Sequence, residues 1–327
     1  MNNSNLPAKS NSGTPATVSA AANIFATRKN ALKPTQYSER ATREKPCAFV
    51  FLIDQSGSMA DEIHHANGVI RSKAEAVAEI INNILTVLIM KCYKDGVIRD
   101  YFHVLAIGYG KDIEGETGVD FAWEGKLSGR DWVKASELKD NELMEEVTTE
   151  VETMPWGEVR QKKVTKKIWI NPYADFLTPM HQALTLCKLK LEEWINDHQD
   201  SFPPLIFNIS DGKPSDIGDT KEIVDICNEI KSLRTSDGQV LLINCLLPDE
   251  GGAEVRLPSV NEKSILTDEN HLALFDGSSS LPSEKQQLAF EIFQEPKILS
   301  EEVKLVVLNS SPDSLIKLIN FGTRTAI

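Results

Sequence analysis

No stretch of this 327-residue chain holds the ~18 consecutive apolar residues of a membrane helix. The first twelve residues are polar, with no apolar core of a secretory signal. Both absences lead to the expectation of a cytoplasmic protein with no membrane role. Cysteine is sparse. The five, Cys47, Cys92, Cys187, Cys227 and Cys245, are never closer than 18 residues, which excludes a CxxC pair and a zinc-ribbon spacing. They read as small, reduced core residues. No glycine-rich phosphate loop with lysine occurs. Nor is there a G-x-S-x-G nucleophile elbow, because position 54, where the first glycine would stand, is Asp54. Net positive charge is missing too: the chain carries -13 and its pI is near 5.0, which argues against wrapping nucleic acid.

What is present is an ordinary globular composition, 41% hydrophobic and 25% charged. Its charge is unevenly divided. Residues 1–45 hold seven basic and two acidic residues, +5, and little apolar bulk. They read as a flexible polar and basic arm, the one place where nucleic acid would be met. Residues 46–327 hold 28 basic and 46 acidic residues, -18. Within them, 111–160 carries 14 acids against 6 bases, an acidic elaboration inside the wider insertion and edge region 111–177.

The body alternates strand and helix patterns. Ala48–Ile53 is apolar at every position, as in a central strand buried on both faces. A helical spacing follows through Ile63, Ile70, Val77, Ile81, Ile84 and Leu88. Further strands are predicted at Tyr101–Gly108, Leu205–Ile209, Val240–Leu247 and Val303–Leu308, with an edge strand at Lys162–Ile170. Further helices are predicted at Thr178–Gln199, Lys221–Leu233, Glu284–Phe293 and Pro312–Asn320. This order implies right-handed crossovers onto a mainly parallel sheet, an α/β Rossmann-like, three-layer, doubly wound domain.

In such sheets ligands meet the carboxyl ends of strands. Three segments fall there: Asp54-Gln55-Ser56-Gly57-Ser58, the loop to Thr178-Pro179, and Ser210-Asp211-Gly212. Together they offer two carboxylates, Asp54 and Asp211, and three hydroxyls, Ser56, Ser58 and Thr178. These hard oxygens suit Mg²⁺, with Mn²⁺ or Ca²⁺ as substitutes. Gly57 permits the tight backbone path that turns both serine hydroxyls to one point. The same residue types also suit a helix N-cap without any metal. Asp216 and Asp219 read as caps before Lys221.

The Asp54-x-Ser56-x-Ser58 motif, with Thr178 and Asp211 in order behind it, resembles the von Willebrand factor A (VWA) domain family and its metal-ion-dependent adhesion site, MIDAS. The wording Thr178-Pro179-Met180 and Ile209-Ser210-Asp211-Gly212-Lys213-Pro214 is similar to the bacterial cytosolic TerY-type branch. The resemblance implies a VWA fold over 46–327, a divalent cation at Asp54, Ser56, Ser58, Thr178 and Asp211, and no catalysis. It implies capture of a protein partner whose Asp or Glu completes the coordination. That branch is linked to stress-response and phage-defence operons, beside a kinase and a phosphatase. The chain departs from it by lacking a cysteine-rich zinc module and by its long acidic insertion, which either forms a solvated face or supplies the metal a carboxylate in cis.

Two other functions compete. One is a Mg²⁺-dependent phosphohydrolase, although an aspartyl-nucleophile enzyme would need an acid at position 56. The other is a structural VWA scaffold with an unoccupied site. His64-His65 point ~100° apart on the expected helix and so do not share a metal. His103 is isolated in sequence, and His181 is a candidate for a position beside the metal. Trp123, Trp132, Trp156 and Trp169 read as ordinary core of the insertion, with a partner-binding face as the alternative. Lys162-Lys163 and Lys166-Lys167 read as counter-charge for the acids before them.

Overall fold

The computed structural model describes Met1 and residues 36–64, 70–153, 159–248 and 252–326. The strand β1, Cys47–Asp54, is buried along its whole length. Side chains alternate across a strand, so Cys47, Phe49, Phe51 and Ile53 enter one apolar cluster, and Ala48, Val50 and Leu52 enter another on the opposite face. Parallel to β1 on one side runs β2, Phe102–Ile113. On the other side runs β5, Leu205–Ser210, followed outward by β6, Leu241–Leu246, and β8, Val306–Leu308, all parallel. Short antiparallel strands finish both edges. β3, Glu116–Phe121, and β4, Trp132–Lys134, pair with β2, and β7, Val255–Arg256, pairs with β8. The result is an eight-stranded, mostly parallel sheet in a layered α/β fold.

Helix α1, Lys73–Cys92, packs Val77, Ile81, Leu85 and Leu88 on the face of Phe49 and Phe51. Helix α2, Ala135–Lys139, and the C-terminal helices α6, Gln286–Phe293, and α7, Pro312–Thr325, lie on that side too. Helices α3, Met180–Asp197, α4, Lys221–Ser232, and α5, Glu269–Gly277, cover the Val50 face. The chain therefore leaves β1 toward one face and leaves β5 toward the other. Adjacent strands whose crossovers diverge in this way open a crevice at their carboxyl ends.

Four sequence expectations need correction. The helix does not begin at Ile63: Glu62–His64 and Ile70–Ser72 form a small hairpin, and α1 starts at Lys73. A capping box sets that start. Ser72 Oγ accepts from Glu75 N at 3.1 Å, and Glu75 Oε2 accepts from Ser72 N at 2.9 Å, satisfying two otherwise unpaired amides. His64 thus lies on a strand, and His65 lies outside the described residues. Second, the strand expected to end at Gly108 continues to Ile113, because β3 pairs with its extension. Third, the strand near Lys162–Ile170 is not an edge of the central sheet. Val159–Ile168 pairs with Met144–Thr153 in a separate antiparallel ribbon. Its register sets Glu145 opposite Lys167 and Glu146 opposite Lys166, and Lys167 pairs with Glu145 at 3.2 Å. Finally, α5 has no counterpart among the expected helices.

The ribbon's base is fixed by buried Asn82 of α1, whose Oδ1 accepts from Trp169 N and Ile170 N while its Nδ2 donates to Ile170 O. Residues 36–45, read with the arm, join the body. The Tyr37 amide donates to Asp237 O, Ser38 and Glu39 amides donate to the Asp237 carboxylate, and Ala41 N donates to Ala326 O. The arm's residues 2–35 lie outside the described residues. Among the described residues no helix is long and apolar enough to cross a membrane.

Candidate metal centre

The crevice between β1 and β5 gathers all five expected donors. Asp54, the last residue of β1, is 1% exposed. Its Oδ1 accepts from Ser56 N at 2.9 Å and its Oδ2 from Ser210 Oγ at 2.6 Å. Ser56 Oγ and Ser58 Oγ are 3.2 Å apart, and Ser58 Oγ donates to Asp211 Oδ1 at 2.7 Å. Gly212 serves as a ruler for the rest: a Cβ there would lie 3.5 Å from Thr178 Oγ1 and 3.7 Å from Ser58 Oγ. Thr178 and Ser58, 120 residues apart in the chain, therefore both flank Gly212.

Backbone lacing holds the three segments together. Gln55 N donates to Tyr109 O, Asp175 N to Gln55 O, Gly57 N to Phe176 O, and Phe176 N to Gly110 O. Thr178 and Ser215 clasp reciprocally, since Ser215 N donates to Thr178 O and Thr178 N donates to Ser215 Oγ, both at 2.9 Å. Gly57 is needed, because a Cβ there would stand 2.9 Å from Asp175 O. Gly110 is needed more. It sits at φ +108° in a bulge between Tyr109 and Lys111, and a Cβ would meet Leu177 O at 2.6 Å and Ser56 N at 2.7 Å. Gly110→Ala is expected to cost about 2 kcal/mol or more, since backbone atoms, not a side-chain tip, must yield. Urea unfolding checks it, and an unchanged midpoint would mean that the two loops do not close on this position.

Burial pushes the Asp54 carboxyl up to about 6, against the hydrogen bonds from Ser210 and Ser56, and the Asp211 charge adds to the rise. Burial also lifts the Tyr109 hydroxyl well above its ordinary range, with Asp54 contributing. That hydroxyl donates to Asn208 Oδ1 at 3.1 Å, behind the site. The cap interpretation of Ser56 fails locally, because its side chain makes no cap hydrogen bond to the short 3₁₀ turn Gly57–Ala60. Asp219 does cap toward Lys221, accepting from its amide at 2.8 Å. Asp216 instead caps α3, accepting from His181 N and Gln182 N. The tryptophans Trp123 and Trp169 are buried, with their indole N–H groups on Asp131 O and Leu138 O. Trp132 lies tilted against Trp194, with ring centroids 5.9 Å apart, and Trp156 lies outside the described residues.

One participant is not apparent from the sequence pattern. Lys73, 4% exposed, donates from Nζ to Asp211 Oδ2 at 2.9 Å and lies 3.4 Å from Asp61 Oδ2. Burial pulls its pKa down, but the bond and charge of Asp211, with Asp61, more than offset this and leave it raised. The available signal is a lysine in the first turn of a helix, where the macrodipole disfavours a cation. A helix start placed at Ile63 conceals it.

The donor set is two carboxylates and three hydroxyls, all oxygen, which is the chemistry of a hard divalent ion. Among the described residues no group of three or more His, Cys, Asp or Glu is placed to hold a metal.

No protein-family model matches the chain, and no curated protein matches it. Among solved structures, it is similar to an uncharacterized membrane-spanning protein from Vibrio fischeri, with 14% identity over 64% of this chain and 74% of that one and a TM-score of 0.23. It is also similar to the adhesive tip pilin GBS104 from Group B Streptococcus agalactiae, with 13% identity over 83% and 82% and a TM-score of 0.25. Superpositions this loose carry no functional weight.

Proposed function

We propose that the protein is a VWA-type binding module, not an enzyme, that holds Mg²⁺ through Asp54, Ser56, Ser58, Thr178 and Asp211 and captures a protein partner through its Asp or Glu. Mn²⁺ or Ca²⁺ would substitute. The observation that carries the reading is the convergence of five oxygen donors from three distant segments on the crevice between β1 and β5. With so few charged ligands the cation stays electrophilic and attracts an outside carboxylate. Under this reading the protein works in the cytoplasm of a bacterium. Its partner is an operon-encoded protein of a stress-response or phage-defence system, such as a kinase or phosphatase.

The test is capture of partner from the native cell by full-length protein in Mg²⁺ and in EDTA, beside Asp54→Ala. Capture is expected in Mg²⁺ alone and only by the unaltered protein. Equal capture in both buffers would overturn the proposal.

A further inference from the structure

The two oxygens of Asp211 have different partners. Oδ1 accepts from Ser58 Oγ, on the side of the proposed cation, and Oδ2 accepts from the Lys73 ammonium. Both side chains of this ion pair are shut away from water, Asp211 at 0% and Lys73 at 5% exposure. The lysine is also held by its backbone. Its amide donates to Asp61 O at 2.9 Å, and the Ser72–Glu75 capping box fixes the turn it begins. Two physical costs oppose a lysine here: desolvation of an ammonium and the positive end of the α1 dipole. Asp211 offsets both, and in doing so one of its two oxygens is already engaged.

Formal charge shows the consequence. Among the buried groups, Asp54, Asp211 and Lys73 sum to -1, and a divalent cation brings the centre to +1; Asp61, the lysine's other partner at 3.4 Å, has its side chain 65% exposed, so water screens its charge. Without the lysine the same centre would be -2 empty and neutral when loaded. We propose that Lys73 is a built-in counter-charge of the metal centre, one that weakens its hold on the divalent cation and keeps the loaded centre positive toward an incoming carboxylate. This rests on the proposed metal centre. The ammonium also holds Asp211 beside Ser58 when no cation is present, so the donors stand assembled beforehand.

The test is Mn²⁺ binding to full-length protein at pH 7.5, followed by calorimetry and by the electron-spin signal of free Mn²⁺. Lys73→Met is expected to bind Mn²⁺ about tenfold tighter or more, because a like charge beside the cation is gone. Lys73→Gln keeps a hydrogen-bond donor for Asp211 and serves where the methionine variant loses its fold by circular dichroism; the same tightening is expected. Lys73→Arg should stay within about threefold of the unaltered protein, since it keeps the charge. Acetate, as a free carboxylate, should bind the Mn²⁺-loaded Met or Gln variant more weakly than the loaded parent. Equal Mn²⁺ affinity in parent, Met and Gln variants would overturn the counter-charge role and leave the metal centre standing. Weaker affinity in both neutral variants would overturn it in favour of a purely positioning role. Absence of Mn²⁺ binding in the unaltered protein would remove the metal centre and this proposal with it.

Discussion

Asp54→Asn is expected to weaken Mn²⁺ binding on the order of 100-fold and, at the same time, to stabilise the cation-free protein at pH 7.5. The opposite signs share one cause. In the cation-free protein, Asp54 is buried beside Asp211, and its carboxyl is pushed from 3.8 to about 6. Between those values the folded chain keeps a proton that the unfolded chain has released. The stability tied to that proton is full below pH ~4 and is lost as pH rises through about 6. At one pKa unit per ~1.4 kcal/mol, the loss amounts to about 2–3 kcal/mol at pH 7.5. Asparagine removes it. His103 titrates in the opposite sense, pushed down to about 4 by burial, with the neighbouring His198 adding to it. Its contribution is present above pH ~6.5 and fades as pH falls. The difference between parent and Asp54→Asn cancels that term, since both keep His103. Urea unfolding in EDTA at pH 5 and pH 7.5 measures the difference. A gap that does not widen with pH would contradict a buried, cation-free carboxylate at position 54.

Trp169→Ala should cost about 3–5 kcal/mol, the range for truncating a large buried aromatic. Trp169 is 1% exposed, and its indole N–H donates to Leu138 O at 2.7 Å, so truncation opens a cavity and removes one of the hydrogen bonds to that carbonyl. The loss should concentrate at the ribbon's base, where Leu143 N donates to Ile168 O and Asn82 holds Trp169 and Ile170. Hydrogen exchange at Leu143 and Ile170 should quicken more than at β1. A shift below 1 kcal/mol would mean that the ribbon is not anchored there.

The parts of the molecule legible in sequence are those whose signal is local. β1 is apolar up to its last residue and β5 is apolar apart from Asn208 and Ser210, because helices cover both faces, and four of the five donors stand at or just after their carboxyl ends. The ribbon is half legible. Alternating lysine and bulk marks a strand but does not say which strand it joins, and only the register with Met144–Thr153 reveals it. Ile63 and Ile70 mimic a helical stripe because seven residues is also a plausible spacing across a hairpin. Helix α5 escapes a periodicity argument because its core, Asn270, Ala273, Leu274 and Phe275, spans too few turns to show a period. Lys73 is hidden for a further reason. Its partner Asp211 lies 138 residues away, so no local spacing links the two.

Helix α1 has a mechanical consequence. Lys73 at its first position is bound to Asp211, and Glu79, less than two turns on, receives Lys166 of the ribbon at 2.6 Å and also pairs with Arg71. Asn82, one turn further, holds the ribbon's foot. The rise of 1.5 Å per residue sets these three grips within about 14 Å along one rod. A load applied to the ribbon is therefore borne by the same helix that steadies Asp211, and a surface ribbon and a buried acid lean on a common beam.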